Sequence, residues 1–310
     1  MRSERTDSTD RSQQVSAVRI SNQAIQTRII DTIRGSIADI GRLERQITTG
    51  RRFELASEDP LGSRSVMQLD SQLRASQQYR RNIDVARGRL TMEESALESL
   101  SNLISRAREI ASQQSSSSAT TGSTQAGIGE VQGLRQAAID LANLNLNGSY
   151  IFGGLFSDRA PLDNSGSLDP LNPARGAIEY DVFPGERKPG THDAGEVFID
   201  TNVVQAFDDL ESALIAGDSA TIATQMDVLA EALESVQLLV VDVGNRQISL
   251  DLAEDTLAVS DLARAERRSN IADASLPEAL AQLASRQASY QASLLATSRI
   301  LETTLTNFLR

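Results

Sequence analysis

Apolar residues fall on helical spacings over most of this chain, and the breaks in that rhythm divide it into parts. Near the N-terminal end Ile30, Ile33, Ile37, Ile40, Glu44 and Ile47 recur at alternating steps of three and four. Near the other end Leu276, Leu280, Leu283, Gln287, Tyr290, Leu294, Thr297, Leu301, Thr304 and Phe308 do the same. That spacing returns side chains to one face of a slightly underwound helix, the seam of a coiled coil. It predicts a first helix from about Asn22 to Thr49, with Gly50 as its stop. The terminal helix restarts at the capping box Ser275-x-x-Glu278, with Pro277 inside its first turn.

Two longer stripes lie between these ends. Ile83, Ala86, Leu90, Glu93, Leu97, Leu100, Ile104, Ala107 and Ala111 predict a helix from Pro60 to about Gln114. Asp59 is its N-cap and Pro60 takes the first helical position, where the missing N–H costs nothing. Gly88 and the capping box Thr91-x-x-Glu94 mark a point of weakness, but the seam keeps its register across it. One helix of roughly 80 Å is therefore expected. The Ser/Thr-rich run from Ser115 to Gly122 reads as a flexible turn before a helix from about Gln125 to Asn145. Helix resumes at about Val203, pauses at Gly217–Asp218 and runs on through Ile222, Met226, Leu229, Leu233, Val236, Val240, Val243, Gln247, Leu250, Glu254 and Leu257.

Between Tyr150 and Ile199 the helical period is lost, and prolines, glycines and most of the remaining aromatics collect there. Ala177–Phe183 and Glu196–Ile199 read as short strands. Residues 1–17 carry no period and read as a disordered extension. The expected fold is mainly α, with long antiparallel helical rods, coiled-coil terminal helices and a small β-rich insert at the tip. Its parts are a terminal coiled-coil domain (18–56 with 275–310), a helical rod domain (57–149 with 203–274) and an outer domain (150–202). A chain that places both termini on seams is built to polymerise, and the seam itself is the candidate site: Ile30, Ile33, Ile37, Ile40, Ile47, Leu276, Leu280, Leu283, Leu294, Leu301 and Phe308.

Composition narrows the partners. Forty-two acidic residues against thirty basic ones give a net charge of -12, which argues against nucleic acid, because the cations that would neutralise phosphates are outnumbered. No apolar run is long enough for membrane insertion, and no signal-peptide pattern is present. The absence of cysteine excludes disulfides and thiolate metal sites.

No catalytic, cofactor-binding or metal-ligating constellation emerges. The single histidine, His192, stands in a Pro/Gly-rich loop and reads as an exposed residue. Glu93–Glu94 and Asp208–Asp209 are adjacent pairs, whose side chains point about 100° apart on a helix, so they read as solvated faces. Arg80–Arg81 and Arg264–Arg268 alternate with acids and amides as ordinary charged faces do. Gly153–Gly154 lacks the further glycines of a nucleotide-binding loop. An enzyme is not expected.

Several segments carry a family resemblance. Val18–Arg19–Ile20–Ser21, Ile47–Thr48–Thr49–Gly50–Arg51–Arg52, Ser57–Glu58–Asp59–Pro60–Leu61–Gly62 and Tyr79–Arg80–Arg81–Asn82–Ile83–Asp84–Val85–Ala86 resemble the N-terminal region of flagellins. So do Glu94–Ser95–Ala96–Leu97 and Arg106–Ala107–Arg108–Glu109–Ile110–Ala111, and the run from Ser269 to Ala279 resembles the matching C-terminal segment. Tyr150–Ile151–Phe152–Gly153–Gly154, Val243–Gly244–Asn245–Arg246, the small insert and the ending Leu305–Thr306–Asn307–Phe308–Leu309 are similar to the hook-associated protein 3 branch.

The resemblance implies a structural subunit of the bacterial flagellum at the junction between hook and filament. It implies secretion through type III export with a flagellar export chaperone. It also implies contacts with the first hook-associated protein, with flagellin and with further copies in a ring or tube. Flagellin itself is the near alternative, favoured by the ending Phe308–Leu309–Arg310, and a cytoplasmic coiled-coil scaffold is the distant one. Because the resemblance begins at Val18, residues 1–17 are either a genuine polar extension or the translation of a frame whose natural start is a GTG codon at position 18.

Overall fold

The computed structural model describes the backbone of residues 5–115, 121–168 and 175–308, and the side chains of 27–115, 122–168 and 175–299. Among the described residues six α-helices run α1 (Arg5–Thr49), α2 (Pro60–Gln114), α3 (Thr121–Ala142), α4 (Val203–Ala216), α5 (Ser219–Ala272) and α6 (Leu276–Phe308). The described residues also include one π-helical turn and two antiparallel hairpins. One pairs β1 (Asn145–Leu146) with β2 (Ser149–Tyr150), and the other pairs β3 (Glu179–Phe183) with β4 (Glu186–Pro189). The fold is mainly α, as the hydrophobic period requires. The chain divides into two compact units, one made of 1–71 with 263–310 and the other of 72–262.

The larger unit contains a continuous core. Every residue of the stripe from Ile83 to Ala111 is buried, and so are Leu229, Val236, Val243, Leu250 and Leu257 on α5. The two helices are antiparallel: Ser76 and Arg80 bond Asp261, Arg87 bonds Glu254 and Asp251, and Gln247 bonds Glu94. Helix α3 folds back along α2, with Gly127 against Ile110, Glu130 on Arg106, and Ser123 and Thr124 on Gln114. Helix α4 runs antiparallel to α3 through Gln132–Glu211 and Arg135–Asp208. Gly217, in the left-handed conformation at φ 67°, ends α4 by donating to Ala213 and Leu214 carbonyls, the αL stop that glycine allows at least cost.

Three expectations need correction. Helix α1 begins at Arg5, within the stretch 1–17 read as disordered. Residues 5–34 contain no proline or glycine, so nothing there breaks a helix even though nothing drives one to pack. Glu196–Ile199 is not a strand: Gly195–Ile199 forms a single π-helical turn. Asp193 accepts from the Glu196 N–H at 2.9 Å while the Glu196 carboxylate reaches back to the Asp193 N–H at 3.4 Å, a capping box that selects a helical turn over an extended chain. His192 is buried, as described below. The centre of the flexible turn expected between Ser115 and Gly122 lies outside the described residues.

Candidate assembly surface

In the smaller unit α1 and α6 pack antiparallel, with the Arg286 guanidinium 3.6 Å from the Asp39 carboxylate. The stripe of α1 that faces α6 is rotated from the one the isoleucines alone suggest. Leu43 is its most buried member, and Ile29, Ile33, Ser36, Ile40 and Ile47 are half-buried beside it. Across from them Ala279 is buried, and Leu283, Tyr290, Ser293 and Thr297 are half-buried.

The other seam residues face outward. Ile30 and Ile37 are 49% and 52% exposed, and Leu276, Leu280 and Leu294 are 46%, 53% and 42% exposed, with Leu295 open beside them. The seam of the sequence is thus two half-seams, one closing the pair and one left in water. Leu301 and Phe308 lie outside the residues whose side chains are described. Leu43 was legible as the fifth member of the 29–33–36–40–43–47 repeat, but a serine at 36 disguises that register.

The connections at the open end of the pair are stapled together. Residues 51 and 273 form an antiparallel bridge, with the Arg52 N–H on the Ala272 carbonyl at 2.7 Å and the Ala274 N–H on the Gly50 carbonyl at 2.8 Å. Asp59 caps α2 by accepting the Gly62 N–H at 2.8 Å, and Arg52 donates to its second oxygen at 2.8 Å. Those bonds hold the Asp59 carboxyl below its usual range, the Gly62 N–H contributing most. Glu58 is lowered as well, chiefly by the Glu54 N–H. Gly62 is part of the cap: a Cβ there would lie 2.5 Å from the Asp59 carboxylate oxygen and 3.0 Å from the Phe53 ring.

In the larger unit Arg89, Glu93, Thr191, His192 and Asp193 are buried polar residues that gather where the non-helical segment meets α2 and α5. His192 places Nδ1 2.6 Å from the Glu93 carboxylate, and its backbone N–H donates to the same oxygen at 3.0 Å. Its Nε2 lies 2.7 Å from Arg246 and 3.1 Å from Asp242. Glu93 is fully buried and His192 is 4% exposed, so neither is the solvated residue expected from sequence. The clue was Glu93 itself, a carboxylate inside an otherwise apolar stripe, which must find a partner when the stripe is buried. Arg89 fixes the next turn by donating to Ser149 Oγ and to the Tyr150 and Ile151 carbonyls. Phe152 then meets Phe198 edge to face, with ring centroids 5.4 Å apart. Among the described residues no cluster of side chains has the composition of a metal site, and no helix is long and apolar enough to cross a membrane.

Residues 20–157 match the bacterial flagellin N-terminal helical region. Flagellar hook-associated protein 3 of Salmonella typhimurium is 28% identical over 149 residues, 48% of this chain and 47% of that protein. The Escherichia coli protein of the same name is 28% identical over 145 residues, 46% of each chain. The resemblance is to flagellar hook-associated protein 3. Its match spans about half the length of these curated relatives. A solved candidate flagellar hook-associated protein from Vibrio parahaemolyticus superposes with a TM-score of 0.64 at 21% identity, covering 70% of this chain and all of that one. This last likeness is one of fold.

Proposed function

We propose that the chain is a structural, non-enzymatic subunit of the bacterial flagellum, forming the junction between hook and filament. On this reading it leaves the cell by type III export with a chaperone. Its final partners are the first hook-associated protein, flagellin and further copies of itself in a ring or tube. The observation that carries the proposal is the half-seam of isoleucines and leucines left in water on a terminal helix pair. Contiguous apolar surface on a helix face is a docking surface rather than a resting state. The names of the curated relatives, each a flagellar hook-associated protein 3, support the same assignment. We assign assembly to segments 18–56 and 275–310, the rod to 57–149 and 203–274, and the outer face to 150–202.

A deletion strain tests it. Loss of a junction protein leaves cells exporting unpolymerised flagellin into the medium, and a plasmid copy of this chain restores filaments. Capped hooks with no flagellin in the medium would instead identify the chain as the filament subunit. Normal filaments in the deletion strain would reject both.

A further inference from the structure

Helix α5 carries a second apolar stripe, on the side away from the core. Leu238, Val241, Ile248, Leu252, Val259 and Leu262 are each between 61% and 72% exposed. With Asn245 and Asp255, both exposed, they fill successive positions at alternating steps of three and four. Leu238, Asn245, Leu252 and Val259 each follow a buried residue (Val236, Val243, Leu250, Leu257) by two positions, which is about 200° around the helix. The stripe runs for about 36 Å and lies wholly within the larger unit. Its apolar side chains leave roughly 600 Å² in water on each copy, so two such stripes face to face would bury about 1,200 Å², the lower edge of a specific interface.

The order of residues along the stripe selects its occupant. Read from either end, it runs apolar, apolar, polar, apolar, apolar, polar, apolar, apolar. Laid antiparallel on a second copy of itself, Leu238 meets Leu262, Val241 meets Val259, Ile248 meets Leu252 and Asn245 meets Asp255. An amide donor then faces a carboxylate acceptor at each of the two polar contacts. Among the described residues, neither side chain has a hydrogen bond or ion pair within its own chain. A parallel pair in register would instead set Asp255 against Asp255, which like charge disfavours. The flanking carboxylates add little repulsion. Asp251, which would face its own copy, is held by Arg87 at 2.8 Å, and Asp242, which would face Thr256, is held by Arg246 at 2.6 Å. The other flanking contacts, Gly244 with Ala258 and Ser249 with itself, are between small residues that let the helices approach.

We propose that two copies of the chain pair through this stripe, antiparallel about a two-fold axis level with Leu250. The polar contacts fix the register. A shift of one heptad in either direction sets both Asn245 and Asp255 against leucine or isoleucine, and a buried polar group without a partner is costly. The contact is isologous, the same patch on both copies, so it closes at two. It cannot propagate, and it is therefore a state of copies outside the ring or tube proposed above. Its test does not depend on that role.

The chain has no cysteine, so an introduced thiol is unique. The purified full chain is expected to sediment as a monomer–dimer equilibrium. A short bismaleimide should capture Ser249→Cys as a dimer. It should not capture Ala258→Cys, whose two copies lie about 24 Å apart along an antiparallel pair. Asn245→Asp sets carboxylate against carboxylate and should raise the dimer dissociation constant about tenfold or more. The double variant Asn245→Asp/Asp255→Asn restores an amide and a carboxylate at each polar contact and should return the constant to its original value. Both exchanged side chains are exposed, so far-ultraviolet circular dichroism of the variants should match the parent. A monomer at all concentrations, equal capture of the two cysteine forms, or a double variant no tighter than the single one overturns the pairing. So does a dimer lost in Leu294→Asp but kept in Asn245→Asp, which would place the contact on the terminal helices. None of these outcomes bears on the junction role, which the deletion strain decides.

Discussion

His192→Ala tests how the non-helical segment is held to the long helices. The substitution removes the 2.6 Å contact to Glu93 and both contacts of Nε2, to Arg246 and Asp242. Glu93 is fully buried, and its other oxygen already lacks a partner among the described residues. Removing one member of a buried hydrogen-bonded ionisable pair costs about 3–5 kcal/mol. The lower end applies, because the backbone N–H at 192 still reaches Glu93, and Arg246 keeps Asp242 and the Gly190 carbonyl. Glu93→Gln retains an acceptor for that N–H and is expected to cost about 1 kcal/mol. Urea unfolding followed by near-ultraviolet circular dichroism isolates the larger unit, since the chain has no tryptophan and three of its four tyrosines, Tyr79, Tyr150 and Tyr180, lie there. A loss below about 0.5 kcal/mol for His192→Ala, the scatter of ordinary surface substitutions, would refute the reasoning. So would equal losses in the two variants.

Three further expectations follow from particular residues. Ile37→Asp and Leu294→Asp should shift the unfolding curve of the monomer only slightly, since both side chains are about half exposed; each should abolish filaments, because a charge buried on assembly costs several kcal/mol. Normal motility in both would show that this face is not used. Gly88→Ala, with open space around its position, should stabilise by about 1 kcal/mol in a thermal melt. Gly62→Ala should gain nothing, because displacing the Asp59 cap costs about the same amount; equal gains would show that the cap is not held. Acid should loosen the connection at residues 51–62: Asp59 and Glu58 titrate below their ordinary values of 3.8 and 4.5 in the folded chain, so their stabilisation is complete above those values and is lost as pH falls through the lower folded ones. Protection of the Gly62 amide, corrected for intrinsic exchange, should fall over that acid range and hold above pH 5; a flat profile would reject the linkage.

The helical frame was legible because a single physical rule wrote it. Burying one face of a helix forces a three-four period, and the stripes of α2 and α5 are continuous enough to be read residue by residue. Stops and starts were equally plain where a residue has a specific geometric role: Gly50 donates to the Gln46 carbonyl as the chain leaves α1, Asp59 with Pro60 opens α2, and Gly217 closes α4. Reading failed where the determining contacts are non-local. His192 is buried by partners 99 and 54 residues away, which no local pattern around a loop histidine reports. Apolar residues at Val197–Phe198–Ile199 suit a strand and a helical turn alike, and the short-range exchange between Asp193 and Glu196 decides. The terminal seam was half read: isoleucines occur on two faces of α1, and only the position of α6 separates the face that is closed from the face that is open.

The most direct test of the account is the position of the protein in intact flagella. A small electron-dense tag on the outer segment, near Gly185 in the exposed turn between β3 and β4, is imaged by cryo-electron microscopy of flagella still attached to cells. The account predicts one narrow band of label between hook and filament. Label distributed along the filament would contradict it in favour of a flagellin, and label confined to the cell interior would contradict it altogether.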